Sequence, residues 1–208
     1  DATHASSLNN TAVGKDALGA ASGAAAHNNT AVGMNCLDGT TTGSDNTAMG
    51  VGALGGACTA DNVAIGKDAL VAFTGSNATA VGSGAADTAT SAASLTAVGK
   101  GAGGALVDQP HNTFVGYQSG LNTLGESNTF IGSQSGYYAD DVDHCVAIGR
   151  NAFLGVDGGT TDGNYNIAIG SYTLDAVTSG QSNFGIGHNA GTAITSGDYN
   201  IAIGHSAL

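Results

Sequence analysis

Asn29-Thr30-Ala31-Val32-Gly33 is followed by Asn46-Thr-Ala-Met-Gly50 and then by Asn62-Val-Ala-Ile-Gly66; the unit first occurs at Asn10-Thr-Ala-Val-Gly14 and last at Asn200-Ile-Ala-Ile-Gly204. Its closing glycines are Gly14, Gly33, Gly50, Gly66, Gly82, Gly99, Gly116, Gly132, Gly149, Gly170, Gly187 and Gly204, with spacings of 19, 17, 16, 16, 17, 17, 16, 17, 21, 17 and 17 residues. A period near 17 is too short for a helix pair, a propeller blade or a leucine-rich repeat, but it suits one coil of a β-solenoid. Each unit is flanked by Gly and by Asn, Ser, Thr or Asp, and its apolar residues alternate instead of recurring every three or four positions, which excludes helix. The expected fold is all-β: a parallel β-solenoid of about twelve coils, spanning residues 1–208 as one domain.

Aligned on the glycine, the copies form columns. The residue before Gly is always apolar and usually β-branched (Val13, Val32, Met49, Ile65 and onward to Ile203), and it is expected to face the core. The residue before that is nearly always Ala, with Phe114, Phe130 and Gly185 as exceptions, and in a strand it points to the opposite face. After the glycine a second short strand is expected around Ala17, Cys36, Ala53, Ala69 and their counterparts, followed by a polar loop such as 40–45 or 158–163. The corner Gly is expected to supply a positive φ. The recurring Asn (Asn10, Asn29, Asn46, Asn62, Asn112, Asn128, Asn166, Asn183, Asn200) is expected to stack as a ladder joining coil to coil. At the strand spacing, twelve coils make a rod of roughly 55–60 Å.

Composition narrows the function. Of 208 residues 35 are Gly, only 5% are aromatic and 10% charged, so the chain is short of the large side chains of a conventional core. With 41% hydrophobic content spread evenly, disorder is disfavoured. The net charge is −12, and the basic residues are Lys15, Lys67, Lys100 and Arg150 alone, which argues against nucleic-acid binding because phosphate recognition needs clustered cations. No apolar run is long enough for a membrane-spanning helix, so membrane insertion is not expected. All four basic residues, with His188 and His205, directly follow the corner Gly, in a column that also holds Tyr117, Met34 and Val51; such a column is exposed or at a subunit boundary. Fifteen of the acids are Asp, mostly in loops, which fits Asx-turn chemistry.

The motifs Asn-Thr-Ala-Val-Gly and Asn-Ile-Ala-Ile-Gly, each followed three residues on by Ala or Ser, resemble the head repeats of YadA-like trimeric autotransporter adhesins and, equally, the longer repeats of bacteriophage tail-fibre proteins. The resemblance covers nearly the whole chain. It implies a left-handed parallel β-roll, a homotrimer of intertwined or side-by-side chains, and an attachment role on a bacterial surface or a virion, hence an extracellular location. The repeat is longer than the YadA-type unit. A trimer is also expected because an Ala-rich outer strand face carrying a few Phe needs covering. The chain ends at Ser206-Ala207-Leu208 inside a coil and without a polar cap, so it is expected to be a segment of a longer fibre or a subunit stacking end to end.

Chemistry has little to stand on: no converging carboxylates are legible, no catalytic, cofactor-binding or metal-binding residue is assigned, and no enzyme or cofactor is expected. Asp140-Asp141-Val142-Asp143-His144 is the densest acidic patch, and it reads as a solvated loop more readily than as a Ca²⁺ site. Residues 157–163 read as an inserted turn that explains the spacing of 21. His188 and His205 should stack one coil apart as surface or interface side chains. Cys36 should be a buried thiol, while Cys58 falls in a loop and Cys145 in the Asn column; three scattered Cys form neither a disulfide framework nor a metal pattern.

Two functions are weighed. In the first, the solenoid is a stiff spacer that presents the loops Asn122–Ser127, Tyr137–His144 and Val156–Tyr165 to a host cell-surface glycan or protein. In the second it is an ice-binding solenoid, since Thr11, Thr30, Thr47, Thr96, Thr113 and Thr129 align. Against ice binding, that column becomes Val63, Val146, Ile167, Phe184 and Ile201 elsewhere, and Thr two residues before a core column should itself point inward. A filament built by end-to-end stacking is a further alternative.

Overall fold

The computed structural model describes residues 9–20, 26–40, 42–159 and 161–208, and over them the chain winds as an all-β parallel solenoid. Its strands are three residues each: β1 (Thr11–Val13), β2 (Thr30–Val32), β3 (Thr47–Met49), β4 (Val63–Ile65), β5 (Thr79–Val81), β6 (Thr96–Val98), β7 (Thr113–Val115), β8 (Thr129–Ile131), β9 (Val146–Ile148), β10 (Ile167–Ile169), β11 (Phe184–Ile186) and β12 (Ile201–Ile203). They form one sheet in chain order, and all neighbours run parallel, from Thr11 opposite Thr30 at one end to Phe184 opposite Ile201 at the other. The register holds across the 19-residue first coil and the 21-residue ninth, so each strand column of the sequence is a column in space. Eleven turns separate β1 from β12.

The two faces of the strand are the reverse of the sequence expectation. Ala31, Ala48, Ala64, Ala80, Ala97, Ala147 and Ala168 are fully buried inside the coil, while the column before the glycine points out. Met49 in mid-rod keeps 48% of its surface exposed, and Ile131 and Ile148 keep 38%. The coil is too narrow for β-branched side chains on its inner strand face: a Cβ added at Gly185 would lie 2.6 Å from Thr173 Cγ2 across the interior. Phe114 and Phe130, expected on an outer face, are wholly buried because the opposite wall gives way. There Gly120 and Gly136 replace the usual Leu, and a Cβ on either would lie 2.7 or 2.3 Å from the facing Phe ring. The core is a line of Leu and Phe along the axis, with Phe114 and Phe130 stacked at 5.4 Å and Phe153 next at 6.4 Å.

The expected second strand is absent among the described residues, and a run of turns takes its place. In every coil the second and fourth residues after the glycine have positive φ, as at Asp68 (56°) and Leu70 (51°), and so does the residue before the Asn column, such as Asp61 (62°). Alternating left-handed residues prevent an extended strand. The coil-to-coil ladder nevertheless continues through them, Asp68 N donating to Val51 O (2.9 Å) and Leu70 N to Ala85 O (3.0 Å). The corner glycines have the positive φ expected of them, from 122° to 143°.

The Asn column joins the coils as expected, by a specific bonding scheme. Each buried Asn accepts the next coil's backbone N–H at its side-chain oxygen, as in Asn62 N to Asn46 Oδ1 (3.0 Å) and Asn183 N to Asn166 Oδ1 (2.8 Å). Its amide nitrogen donates to a loop carbonyl, as from Asn46 to Thr59 O (2.8 Å) and from Asn183 to Gly197 O (2.8 Å). One side chain thus satisfies two main-chain groups that a loop would otherwise bury unpaired.

Candidate interaction surfaces

The outer strand face carries two parallel columns. One is the Val, Ile and Met before each glycine, exposed in six strands and half-buried in the other six; the other, two residues earlier, is Thr in β1 to β3 and β5 to β8 and Val, Ile or Phe in β4 and β9 to β12. With no charged side chain among the strand residues, the face is a flat stripe of methyl groups dotted with hydroxyls. Such an apolar stripe is a candidate interaction surface. Beside it, past the corner, Lys15, Lys67, Lys100, Arg150, Met34, Val51, Tyr117, His188 and His205 are exposed, as expected of that column. Lys15 and Lys67 pair with the neighbouring Asp16 (2.9 Å) and Asp68 (2.8 Å).

His188 and His205 stack as expected, with centroids 5.2 Å apart and planes at 17°. They extend a larger group that the sequence did not reveal. Tyr172 lies edge-on to His188 at 6.4 Å, the Arg150 guanidinium sits 4.9 Å from the Tyr172 ring centre, and Arg150 Nη2 donates to the Tyr172 hydroxyl. The link crosses the 21-residue ninth coil, so linear spacing hides it.

On this side of the rod two depressions open between the second and the fifth residues after the glycine. The larger, about 630 Å³, crosses coils four to seven with Gly84, Gly101 and Gly104 in its lining and Asp87, Lys100 and Gln118 around them. The smaller, about 370 Å³, is lined by Tyr172, Asp175, His188, Asn189 and Thr192. Burial pushes the Asp175 carboxyl above the usual carboxylate range.

The acidic stretch 140–144 does not converge. Asp143 Oδ1 accepts Glu126 N (2.8 Å), and among the described residues no three His, Cys, Asp or Glu side chains are placed to hold a metal. In the ninth-coil insertion, Val156 N donates to Thr161 Oγ1 (3.3 Å) and Gly159 N to Val156 O (3.1 Å), which folds the extra residues into a turn; residue 160 of the candidate loop Val156–Tyr165 lies outside the described residues. Of the other two candidate loops, Asn122–Ser127 docks through Leu124 N to Asp140 O (2.5 Å), a residue of Tyr137–His144, so these loops brace each other.

All three cysteines are buried free thiols. Cys36 takes the inward small-residue place, and Cys58 meets Thr40 Oγ1 at 3.0 Å. Cys145 stands in the Asn column and does the work of Asn: its sulfur accepts Asn166 N (3.4 Å) and donates to Gly163 O (3.4 Å). Burial pushes its thiol up to about 12. No helix among the described residues is long and apolar enough to cross a membrane. Compared with protein-family models, curated proteins and solved structures, the chain gives no match.

Proposed function

We propose that this chain is a non-catalytic, extracellular attachment-fibre segment: a left-handed β-roll that trimerises through its strand face and presents its remaining sides to a host cell-surface glycan or protein. The bacterial surface and the phage tail fibre both fit this role. The supporting observation is the outward double column of Thr and Val or Ile over twelve strands. Much of its apolar area stays exposed among the described residues, and association with sister copies would remove it from water at about 25 cal/mol per Å². Closed symmetry lets three identical faces meet around one axis without leaving an edge.

Sedimentation equilibrium of the purified chain tests this. The expected mass is three times the 20.0 kDa of the single chain. Val98→Asp with Val115→Asp, in the middle of the face, should return a monomer with an unchanged far-ultraviolet spectrum. A wild-type monomer at micromolar concentration would overturn the proposal.

A second reading gains from the same finding. The Thr column points outward, which removes the objection that it faces the core, and a regular hydroxyl and methyl lattice suits an ice-binding face. Thermal hysteresis in the purified protein would favour that reading; a trimer without hysteresis would exclude it.

A further inference from the structure

We infer that the side groove following the corner glycines is a binding site for an elongated, uncharged glycan lying parallel to the rod axis, with Tyr172 as the platform on which one sugar stacks. The inference rests on the attachment reading and assigns its ligand to a particular side of the solenoid.

The smaller depression has the right chemistry. Saccharides present hydroxyls that both donate and accept, next to patches of C–H. Asp175 is an acceptor, Asn189 both donates and accepts, and Thr192 adds a hydroxyl. The Tyr172 ring offers an apolar face with a polar edge. That ring is held by the Arg150 hydrogen bond and cation contact and by the edge-on contact with His188. A clamped aromatic beside a half-buried carboxylate is a preorganised site, which lowers the ordering cost of binding.

The larger depression lies on the same two columns and suggests that the ligand is long. Gly104 is tightly packed, since a Cβ there would lie 2.7 Å from Leu121 Cδ1, but Gly84 and Gly101 are not demanded by packing. At the second place after the corner, a Cβ on Gly101 would sit 3.5 Å from Leu121 Cδ1, and one on Gly84 would sit 3.4 Å from Asp87 Oδ2, both ordinary contacts. Nor does the backbone demand them. Their φ values of 64° and 63° resemble those at the same place in other coils, where Asp68 (56°), Gln118 (52°) and Asn189 (55°) stand. What these glycines do is leave the groove open. Three coil spacings, or roughly 14 Å at the inter-strand distance, separate Gln118 at the near end of the larger opening from Tyr172 at the near end of the smaller, and the amide of Gln134, 3.4 Å from that of Gln118, lies on the way between. A net charge of −12 disfavours a polyanionic glycan, so the ligand class is neutral.

The test uses the full chain on an array of linear neutral and acidic oligosaccharides, followed by calorimetry with cellotetraose, maltotetraose and chitotetraose against their monosaccharides. A neutral oligosaccharide should bind more tightly than its monosaccharide. Tyr172→Ala and Gly101→Gln should each weaken it at least tenfold, while Val51→Gln, in coil three and outside both openings, should leave it unchanged. Gly101→Gln copies the residue native at the same place one coil on, so it folds and fills the opening; thermal melting of each variant checks this. Binding that survives both groove substitutions overturns the inference and moves recognition to the loops. Absence of neutral-glycan binding, or preference for acidic glycans, also overturns it. Sedimentation of the same samples reports on the trimer independently, so failure of the groove and failure of the fibre reading are told apart.

Discussion

Glycine serves two unlike purposes here, and the difference is measurable one residue at a time. At the corner, Gly66 has φ 133° and a Cβ would lie 2.5 Å from Gly82 O, a main-chain atom that cannot move without breaking the stack. Gly66→Ala should therefore destabilise by at least about 3 kcal/mol, combining backbone strain with a steric clash. Gly84→Asn, in a left-handed conformation that Asn and Asp adopt in other coils, should change stability by less than about 1 kcal/mol. Urea titration of the two variants checks the contrast. Cys145 gives a second residue-scale test. Its thiol is held protonated up to about 12 against an ordinary 9.0. Between these values the unfolded chain loses this proton and the folded chain keeps it, so this site contributes a fall in stability as pH rises above 9 and nothing below. Cys145→Ala should flatten the fall between pH 9 and 11 in denaturation series. In the native protein, Cys145 should resist alkylation at pH 8.5, where an exposed thiol reacts.

Inside a coil, the strand residue and the residue on the opposite wall share one space. In half of the coils the strand offers Ala and the opposite wall Leu, as with Ala64 and Leu70; in coils seven and eight the strand offers Phe and the wall Gly. Interiors packed to crystal density tolerate exchange of large and small only when it is reciprocal. Phe130→Ala should cost about 3–5 kcal/mol through the cavity it leaves, and Gly136→Leu should be as damaging, since its Cβ would strike the Phe130 ring. Together they recreate the Ala and Leu arrangement, and Leu occupies the matching backbone at Leu70 with φ 51°. The double variant should be more stable than either single one, with a coupling of at least about 2 kcal/mol in a double-mutant cycle.

At the scale of the molecule, each coil touches its neighbours, so stability is a sum of coil and interface terms along one dimension. The weakest interface is readable from the Asn column. Ala78 and Leu95 replace Asn in coils five and six, so that column has no side-chain oxygen for the backbone N–H groups of Leu95 and Asn112, whereas Ala78 N still reaches Asn62 Oδ1 (3.0 Å). Native-state hydrogen exchange should find Leu95 and Asn112 exchanging well before Asn62, Ala78 and Asn128. Equal protection across the column would show that the Asn bonds do not set local stability. The outward stripe belongs to this scale as well: if it closes a trimer, the midpoint of thermal unfolding rises with protein concentration.

The amino-acid sequence by itself determined the solenoid, the coil boundaries, the corner glycines and the role of the Asn column, because a repeat records the same local geometry twelve times and an insertion cannot hide it. It did not determine which strand face looks inward. The Val or Ile before each Gly and the Ala before it alternate with equal clarity, and a β-branched residue suits a core by propensity as well as it suits an outer sheet face. Only the width of the closed coil chose Ala for the inside, and width is a property of the whole cross-section. Nor could the sequence show that the second segment is a run of turns, since positive φ at Leu54, Leu70 or Phe153 runs against local preference and is imposed by the continuing ladder. The Arg150–Tyr172–His188 cluster and the open groove were likewise decided in three dimensions, because residues that lie many positions apart along the chain become neighbours when coils stack at strand spacing.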